Sequence, residues 1–223
     1  MNYEFNWFYV EKAIPDLMRG LWVTLELTMW ANIIGLVLGF IVAIGMMSKI
    51  KLIVWPLTAY IEFFRCTPAL IQLVWFFFCV PILFNVWWSA EFMGILALGL
   101  NLAAFNAEAY RAAIQAIPHA HNDASTALGL NAFQRIIYVI LPQALILALP
   151  VLITNGIGIF QQSALVALIS VQDLMYEGRY IATQTFRPIE TLTTVALIYF
   201  AVSFPVSQAV TLVEKRTKRL LAS

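Results

Sequence analysis

Long apolar runs separated by short polar segments set the pattern of this chain. A helix needs about 20 apolar residues to cross the hydrocarbon core of a membrane, and five stretches of the sequence approach or exceed that length. The predicted spans cover residues 21–47, 53–80, 92–110, 136–160 and 191–213. Residues 8–19 mix apolar and charged side chains ahead of the first span, so we expect them to lie along the membrane interface. Gly35 and Gly39 have a spacing that lets two helix backbones approach closely.

The composition places these runs in lipid. Apolar residues make up 62% of the chain and charged residues only 11%, whereas a soluble domain carries roughly 25% charged residues. A soluble protein of 223 residues could not hide so much hydrocarbon, so the sequence predicts an all-α integral membrane protein. The net charge of +1 gives no indication of nucleic-acid binding. Cys66 and Cys79 both lie in apolar runs, which argues against a disulfide framework.

Basic residues set the expected orientation of the chain. Seven Lys and Arg residues lie in the segments after the first, third and fifth predicted spans, against four on the opposite side. Because basic residues are enriched on the cytoplasmic side, the N-terminus is predicted to be periplasmic and the C-terminus cytoplasmic. The predicted parts are a periplasmic or interfacial segment, a transmembrane domain and a basic cytoplasmic tail, over residues 1–19, 20–213 and 214–223.

One polar interruption, over about residues 117–135, stands between two spans on the predicted cytoplasmic side. Its small residues predict a thin helix that can enter a groove on a partner, where bulky side chains would hold it off. They are Ala124, Ser125 and Ala127. Asp123 is expected to open this helix, because free amides and the helix dipole favour a carboxylate there. Gly129 is expected to end it in the left-handed conformation.

The same stretch resembles the cytoplasmic coupling loop of ABC-importer permeases, in the branch that serves polar amino acids such as glutamate, glutamine, histidine and arginine. The matching positions are Ala107, Glu108, Arg111, Ile117, Pro118, residues 123–129 and residues 141–144. Phe64-Arg65-Cys66-Thr67-Pro68 resembles a second motif of that family, with Cys66 in place of glycine. The departures from the loop motif are Ala113, Ala120, His121, Asp123 and Ser125.

This resemblance implies the type I ABC-importer permease fold, with five transmembrane helices and a short cytoplasmic coupling helix. It implies that coupling to a separate ATPase falls to Asp123, Ala124, Ser125, Ala127, Leu128, Gly129 and Pro142. Pro142 would fix where the next helix starts, so that movement of the short helix passes rigidly to the fourth span. The chain lacks the glycine-rich phosphate-binding loop of ATPases. We therefore expect a permease rather than an enzyme, without a cofactor of its own, and ATP and magnesium on the partner ATPase.

The resemblance also implies partners and a location. The partners are an ABC ATPase dimer, a second permease subunit that is identical or paralogous, and an extracytoplasmic amino-acid-binding protein. The binding protein would deliver substrate to the loops around Glu91 and residues 173–190. The expected location is a bacterial inner membrane, in contact with lipid and with no nucleic acid. The expected mechanism is alternating access, driven by ATP, that moves a polar amino acid into the cytoplasm.

Ionisable side chains inside the predicted spans are functional candidates, because charge at membrane depth is costly. Glu62 and Arg65, and likewise Glu108 and Arg111, are three residues apart and can pair on one helix face. The spacing of polar residues on the third and fourth spans predicts a substrate path. Its candidates are Asn101, Phe105, Glu108, Thr154, Gln161 and Gln162. Alternatively, the charge pairs only hold helices together and the amides satisfy backbone groups.

Other classes of function explain less of the sequence. An ion-coupled secondary amino-acid carrier is the main alternative, but it predicts repeated halves with matching broken spans, and five spans divide poorly. A membrane-embedded enzyme needs a nucleophile and base, or metal ligands, at depth. The two histidines, His119 and His121, lie in the polar loop with no third ligand nearby, and their spacing does not put both on one helix face.

Overall fold

The computed structural model describes residues 4–222, with all of their side chains except those at positions 119, 122, 132, 133 and 216–222. Every regular element in this part of the chain is helical. The α-helices are α1 (Trp7–Met46), α2 (Lys51–Cys66), α3 (Ala69–Phe84), α4 (Ala90–Gln115), α5 (His119–Ala127), α6 (Ala132–Arg135), α7 (Leu141–Gln162), α8 (Leu174–Thr185) and α9 (Pro188–Ala222). A π-helical turn, Ile136–Ile140, joins α6 to α7, and a 3-10 helix, Ser163–Ile169, follows α7. The side chains of His119 and of most of the predicted basic tail lie outside this description.

Four helical stretches are each long and apolar enough to cross a membrane. They are Trp7–Met46, Ala90–Gln115, Ile136–Ile169 and Pro188–Lys215. Helices α2 and α3 together make a fifth candidate, bent by 110° at their junction. The prediction of five spans agrees with the structure when this bent pair counts as one span.

The second predicted span, residues 53–80, is wrong as a continuous helix, because it breaks at Thr67 and Pro68. Thr67 is extended, with φ −110° and ψ 143°, since the ring of a proline hinders the helical conformation of the residue before it. Pro68 stands at the N-cap of α3, where its missing N–H costs no intrahelical hydrogen bond. The apolar run crosses the break without a change in composition, so hydrophobicity did not reveal it.

Helix α1 begins at Trp7 and continues unbroken into the first predicted span. Its 40 residues extend about 60 Å, twice the hydrocarbon thickness of about 30 Å. The expected separate interfacial segment is therefore the first part of a longer helix. There, Ala13 and Leu17 are buried in one cluster with Leu174 of α8 and Val195 of α9. Packing against α8 and α9 covers Ala13 and Leu17, whereas Phe8, Ile14 and Met18 are exposed.

Helices α1 and α4 form the centre of the bundle. Leu27 of α1 and Leu98 of α4 are both almost completely buried and belong to one apolar cluster. The two backbones come close at Gly39, where an added Cβ would lie 2.9 Å from the carbonyl oxygen of Ala103. An added Cβ at Gly35 would collide with a leucine of α4 in the same way. The close approach predicted from this glycine pair is therefore confirmed.

A hydrogen-bonded cluster, which we call the N-terminal clasp, ties the start of α1 to the start of α9. It consists of Glu4, Asn6, Arg187 and Glu190. The carboxylate of Glu190 is fully buried and accepts hydrogen bonds from the backbone N of Asn6 (3.2 Å) and Nη1 of Arg187 (3.4 Å). Nη1 of Arg187 also donates to the carbonyl oxygen of Glu4 (3.1 Å). The paired guanidinium offsets the cost of burying this carboxylate.

A second buried carboxylate, Asp173, holds the start of α8. Its Oδ1 accepts a hydrogen bond from the backbone N of Tyr176 (2.9 Å), which makes it the N-cap of that helix. Its Oδ2 accepts a longer hydrogen bond from the hydroxyl of Tyr199 on α9 (3.5 Å). Oγ1 of Thr24 on α1 accepts from the backbone N of Leu174 (3.0 Å). Asp173 thus lies where α1, α8 and α9 meet.

The stability of the fold is expected to depend on pH through Asp173. Burial raises the pKa of this carboxyl from its ordinary value of 3.8 to about 6. Between these two values the folded chain binds the proton more tightly than the unfolded chain. The resulting stabilisation is complete below 3.8 and is lost as the pH rises through 6. Since one unit of pKa corresponds to about 1.4 kcal/mol, the loss amounts to about 3 kcal/mol.

Asp173→Asn is the variant that checks this dependence, because asparagine caps helices equally well but does not titrate. Thermal unfolding of the purified chain in detergent would be followed from pH 4 to pH 7. We expect the wild type to lose stability relative to Asp173→Asn as the pH rises. Parallel curves for the two proteins would contradict the assignment.

Candidate functional site

Helix α5 is the short helix predicted in the polar interruption, but it starts earlier than expected. It begins at His119, with Pro118 at the N-cap in an extended conformation (φ −58°, ψ 138°). Asp123 therefore lies in the second turn and does not open the helix, so that prediction is wrong. The proline ring fixes φ and allows the helix to begin directly after it. Asp123 is exposed instead on the surface of α5.

The C-terminal end of α5 has the geometry predicted for it. Gly129 adopts φ +76°, in the left-handed region that glycine enters at least cost. The backbone N of Leu130 donates to the carbonyl of Ser125 (3.2 Å), and that of Gly129 to Thr126 (3.0 Å). These two hydrogen bonds form a Schellman motif, which satisfies carbonyls at the helix end. The role of Gly129 in ending the helix is confirmed.

The small residues of α5 do not all face the same way. Ala124 and Ala127 are exposed, and Leu128 is 79% exposed. Ser125 is only 2% exposed, so its side chain offers a partner little contact area. An open pocket of about 480 Å³ lies beside the helix, lined in part by Ala124, Leu128 and Val139. The exposed residues of α5 thus include two alanines and one leucine, with Asp123 and Thr126 beside them.

Pro142 is the second residue of α7, as predicted for a helix start, but no break in the helical backbone precedes α7. The chain is already helical from Ala132, and it passes through the π-helical turn into α7. In that turn the backbone N of Leu141 donates to the carbonyl of Ile136, five residues back. Proline lacks an N–H and its ring crowds the preceding turn, and a wider π-helical turn accommodates it. The connection from α6 to α7 is therefore continuous helix.

Of the two predicted intramembrane ion pairs, one is present. Nε of Arg111 donates to Oε2 of Glu108 (3.0 Å), and a second guanidinium nitrogen contacts Oε1. Glu62 and Arg65 form no ion pair within the described part of the chain. Instead, the guanidinium carbon of Arg65 lies 5.9 Å from the ring centroid of Phe105, across the gap between α2 and α4. This contact with the face of an aromatic ring replaces the predicted pair.

Three of the predicted path residues and charges meet in a pocket of about 420 Å³ between α2, α4 and α7. Arg65, Phe105 and Glu108 line one side of it, and Val151 and Asn155 of α7 line the other. The pocket lining thus contains a cation on α2 and an anion on α4, together with an aromatic ring and an amide. Such a set can hold the two charges of a zwitterion.

The other candidates on α7 are exposed along that helix. Thr154 lies between Val151 and Asn155 in sequence, and its hydroxyl donates to the carbonyl of Pro150 (2.9 Å). Gln161 and Gln162 are exposed at the end of α7. None of the three contributes to the pocket, so the structure brings together only part of the predicted path.

Asn101 lies away from this pocket, contrary to its expected place on the path. It is 4% exposed, and its Nδ2 donates to the carbonyl of Phe64 (3.2 Å) and to Oε1 of Gln72 (2.9 Å). Nε2 of Gln72 in turn donates to the carbonyls of Phe64 (2.9 Å) and Thr67 (3.0 Å). The two amides satisfy backbone groups freed by the break between α2 and α3. This agrees with the alternative that the amides serve the backbone.

Sequence reasoning missed two polar residues in this region. Asn155 donates from Nδ2 to Oδ1 of Asn106 (3.0 Å) and links α7 to α4. Gln72 stabilises the helix break, as described above. Each is a lone amide in an apolar run, and that isolation was a signal of its own, since a buried amide needs a partner.

Comparisons with known proteins agree with one another. A family model described as "Binding-protein-dependent transport system inner membrane component" matches residues 35–219. The glutamate/aspartate import permease protein GltK of Escherichia coli O6:H1 is 32% identical over 222 residues, covering 96% of this chain and 99% of that protein. The arginine transport system permease protein ArtQ of Bacillus subtilis is 31% identical over 191 residues, covering 84% and 85%. A chain in the crystal structure of an amino acid ABC transporter with histidines is 34% identical, with a TM-score of 0.89 and coverage of 96% and 100%.

Proposed function

This chain belongs to the family of binding-protein-dependent transport system inner membrane components, and from this premise we propose that it imports a polar amino acid as part of an ATP-driven transporter. Its fold is the all-helical type I ABC-importer permease fold. Permeases of this family carry no ATPase of their own, so ATP hydrolysis occurs on separate subunits. Because this family consists of components of binding-protein-dependent transporters, we do not pursue the ion-coupled carrier as an alternative.

The observation that carries the proposal is the exposed side of α5. Ala124, Ala127 and Leu128 stand on a short helix outside the candidate spans, so neither lipid nor the rest of the described chain covers them. The two alanines let a partner backbone approach closely and the leucine gains apolar contact, while Asp123 and Thr126 keep the surface partly polar. We assign it to an ABC ATPase, one of two that would bind ATP and magnesium. Gly129 and Asp123 border this surface, and Pro142 lies on the helix that leads from it.

The remaining partners follow from the topology. α5 lies between α4 and α7, and α8 follows the other end of α7, so the two helices lie at opposite ends of the bundle. With α5 in the cytoplasm, the N-terminus is periplasmic, the C-terminus is cytoplasmic, and α8 faces the binding protein. A second permease, identical or paralogous, would complete the path. Closing of the ATPases would move α5 and, through continuous helix, α7.

The pocket between α2, α4 and α7 is proposed as the part of the path where substrate charge is matched. Arg65 is placed to bind a carboxylate, and Glu108 to bind an ammonium group while paired with Arg111. Outside this pocket, the path would continue along α7 past the exposed side chains of Thr154, Gln161 and Gln162. The relatives named above are permeases for acidic and for basic amino acids, so the proposed substrate is given as a class, the polar amino acids.

Glu108→Gln is expected to weaken transport through this pocket. The substitution keeps size and hydrogen bonding but removes the charge that faces the substrate ammonium, so we expect the rate of uptake at low substrate to fall about tenfold or more. The measurement is ATP-driven uptake by proteoliposomes containing the complete transporter. Thr211→Ser, a conservative change at an exposed position of α9 outside both pockets, is the control. Unchanged apparent affinity and rate in assembled Glu108→Gln transporter would remove Glu108 from the path.

The proposal as a whole is tested by assembling the transporter. The tagged chain would be purified from its host with its partners, reconstituted into liposomes, and loaded with ATP. We expect co-purification of an ATPase and a permease, and uptake of one or a few polar amino acids that requires ATP and the binding protein. Uptake driven by an ion gradient without ATP would refute the importer.

A further inference from the structure

A second pocket, of about 340 Å³, lies on α8 at the end of the bundle opposite α5. Helix α8 buries one face, formed by Leu174, Gly178 and Ala182, against the bundle. The opposite face carries polar side chains that line the pocket. The lining residues are Ala167, Ser170, Tyr176, Arg179, Tyr180, Thr183 and Gln184. This pocket shares no residue with the one between α2, α4 and α7, and it lies outside the candidate spans apart from its edge at Ala167.

The guanidinium of Arg179 distinguishes this pocket. It makes no hydrogen bond, ion pair or ring contact with any side chain that the structure describes. The two other arginines at this end of the bundle both pair with acids, Arg19 with Asp16 (3.5 Å) and Arg187 with Glu190 (3.4 Å). No acidic residue lines the pocket. Arg179 is therefore a cation in a concave site without an anion to match it.

The rest of the lining fits a small, flat anion. Tyr176 and Tyr180 present parallel rings, with centroids 6.5 Å apart and planes 5° apart. Ser170, Thr183 and Gln184 bring a hydroxyl or an amide group. Ser170 is held at φ 63°, a costly conformation for a residue other than glycine that is often found at binding sites. A guanidinium binds a carboxylate through two parallel hydrogen bonds.

We propose that this pocket is an entry site that binds the carboxylate of an amino acid before the amino acid reaches the path. The inference takes its ligand class from the proposed function and extends it to a site on the outer side. A volume near the lower end of the range for small-molecule sites, about 300–1,000 Å³, suits a single amino acid. An acidic side chain of a docked binding protein offers the same carboxylate, but a concave pocket of this size favours a free ligand.

The test uses a cysteine reporter inside the pocket. Thr183→Cys is introduced with Cys66→Ser and Cys79→Ser, and Gln184→Cys serves as a second reporter in the same background. The complete transporter in proteoliposomes is labelled from outside with a membrane-impermeant methanethiosulfonate. L-Glutamate, L-glutamine, L-histidine and L-arginine are each added at millimolar concentration, alongside the corresponding α-carboxamides. We expect a transported amino acid to slow labelling about tenfold, and its amide to have no effect.

Two variants distinguish binding in the pocket from a nonspecific effect of positive charge at this end of the bundle. They are Arg179→Gln and Arg19→Gln. Protection by the amino acid should be lost in Arg179→Gln and retained in Arg19→Gln. The proposal is overturned if the wild type shows no protection, if the amides protect as well as the amino acids, or if Arg179→Gln retains protection. Protection by the binding protein alone, without free amino acid, also overturns the proposal and would show that the pocket is a docking site for the binding protein. Failure of the proposed function is distinct, because wild-type vesicles would then take up none of the four amino acids on addition of ATP and the binding protein.

Discussion

Ala127→Arg is expected to abolish both capture of the ATPase and transport. Ala127 is exposed on α5, in the middle of the surface that we assign to the ATPase. An arginine there holds the partner off and places a charge in an apolar contact. A loss of about 3 kcal/mol, typical of a residue central to an interface, would weaken binding about 100-fold. Because the side chain points away from the body of the chain, folding should not change.

The experiment compares Ala127→Arg with Ala127→Ser, which keeps the residue small. Each tagged variant would be purified from membranes, the co-purified ATPase quantified, and uptake measured in proteoliposomes. Ala127→Ser should resemble the wild type in both measurements. A shared loss of expression or thermal stability would point to folding instead. Normal ATPase recovery and uptake in Ala127→Arg would show that the ATPase binds elsewhere.

The second large effect is expected at Gly39. A Cβ there would lie 2.8 Å from Cβ of Asn106, 2.9 Å from the carbonyl oxygen of Ala103 and 3.2 Å from the backbone N of Ala107. Two of these three atoms belong to the backbone of α4, which cannot move aside as a side chain can. Gly39→Ala should therefore separate α1 from α4 and lower the free energy of unfolding by about 3 kcal/mol, the upper part of the range for overpacking.

Gly158→Ala is the matched control, because it makes the same chemical change in another apolar helix. A Cβ at Gly158 would meet no described atom within 4 Å. This variant should be unchanged or gain about 0.5–1 kcal/mol, since alanine favours a helix interior over glycine. Denaturant unfolding of both chains in detergent measures the difference. Equal changes in the two variants would show that close packing at Gly39 is not needed.

The sequence predicted helical features where local chemistry decides the outcome. Gly35 and Gly39 indicated a close helix contact, and Gly129 indicated a left-handed helix end, because in each case the absence of a side chain is itself the cause. These features depend on few neighbours, so they could be read directly from the residues.

Features that depend on tertiary contacts could not be predicted in the same way. Arg65 was predicted to pair with Glu62 on its own helix, and only the fold shows that its guanidinium lies against the ring of Phe105 on α4. Asn101 has helical spacing with the path residues, but the break at Thr67 supplies unsatisfied carbonyls that its amide satisfies. The burial of Ser125 likewise depends on how α5 packs against the rest of the bundle.

The N-terminal clasp constrains the order in which the chain can fold. Asn6 and Glu190 are 184 residues apart in sequence, so their hydrogen bond cannot form until the start of α9 has been synthesised. Contacts of such long separation form late, because the loop between them must close first. The first turns of α1 therefore leave the ribosome long before their partner exists. Until then, the apolar face that carries Leu17 has neither α8 nor α9 to cover it.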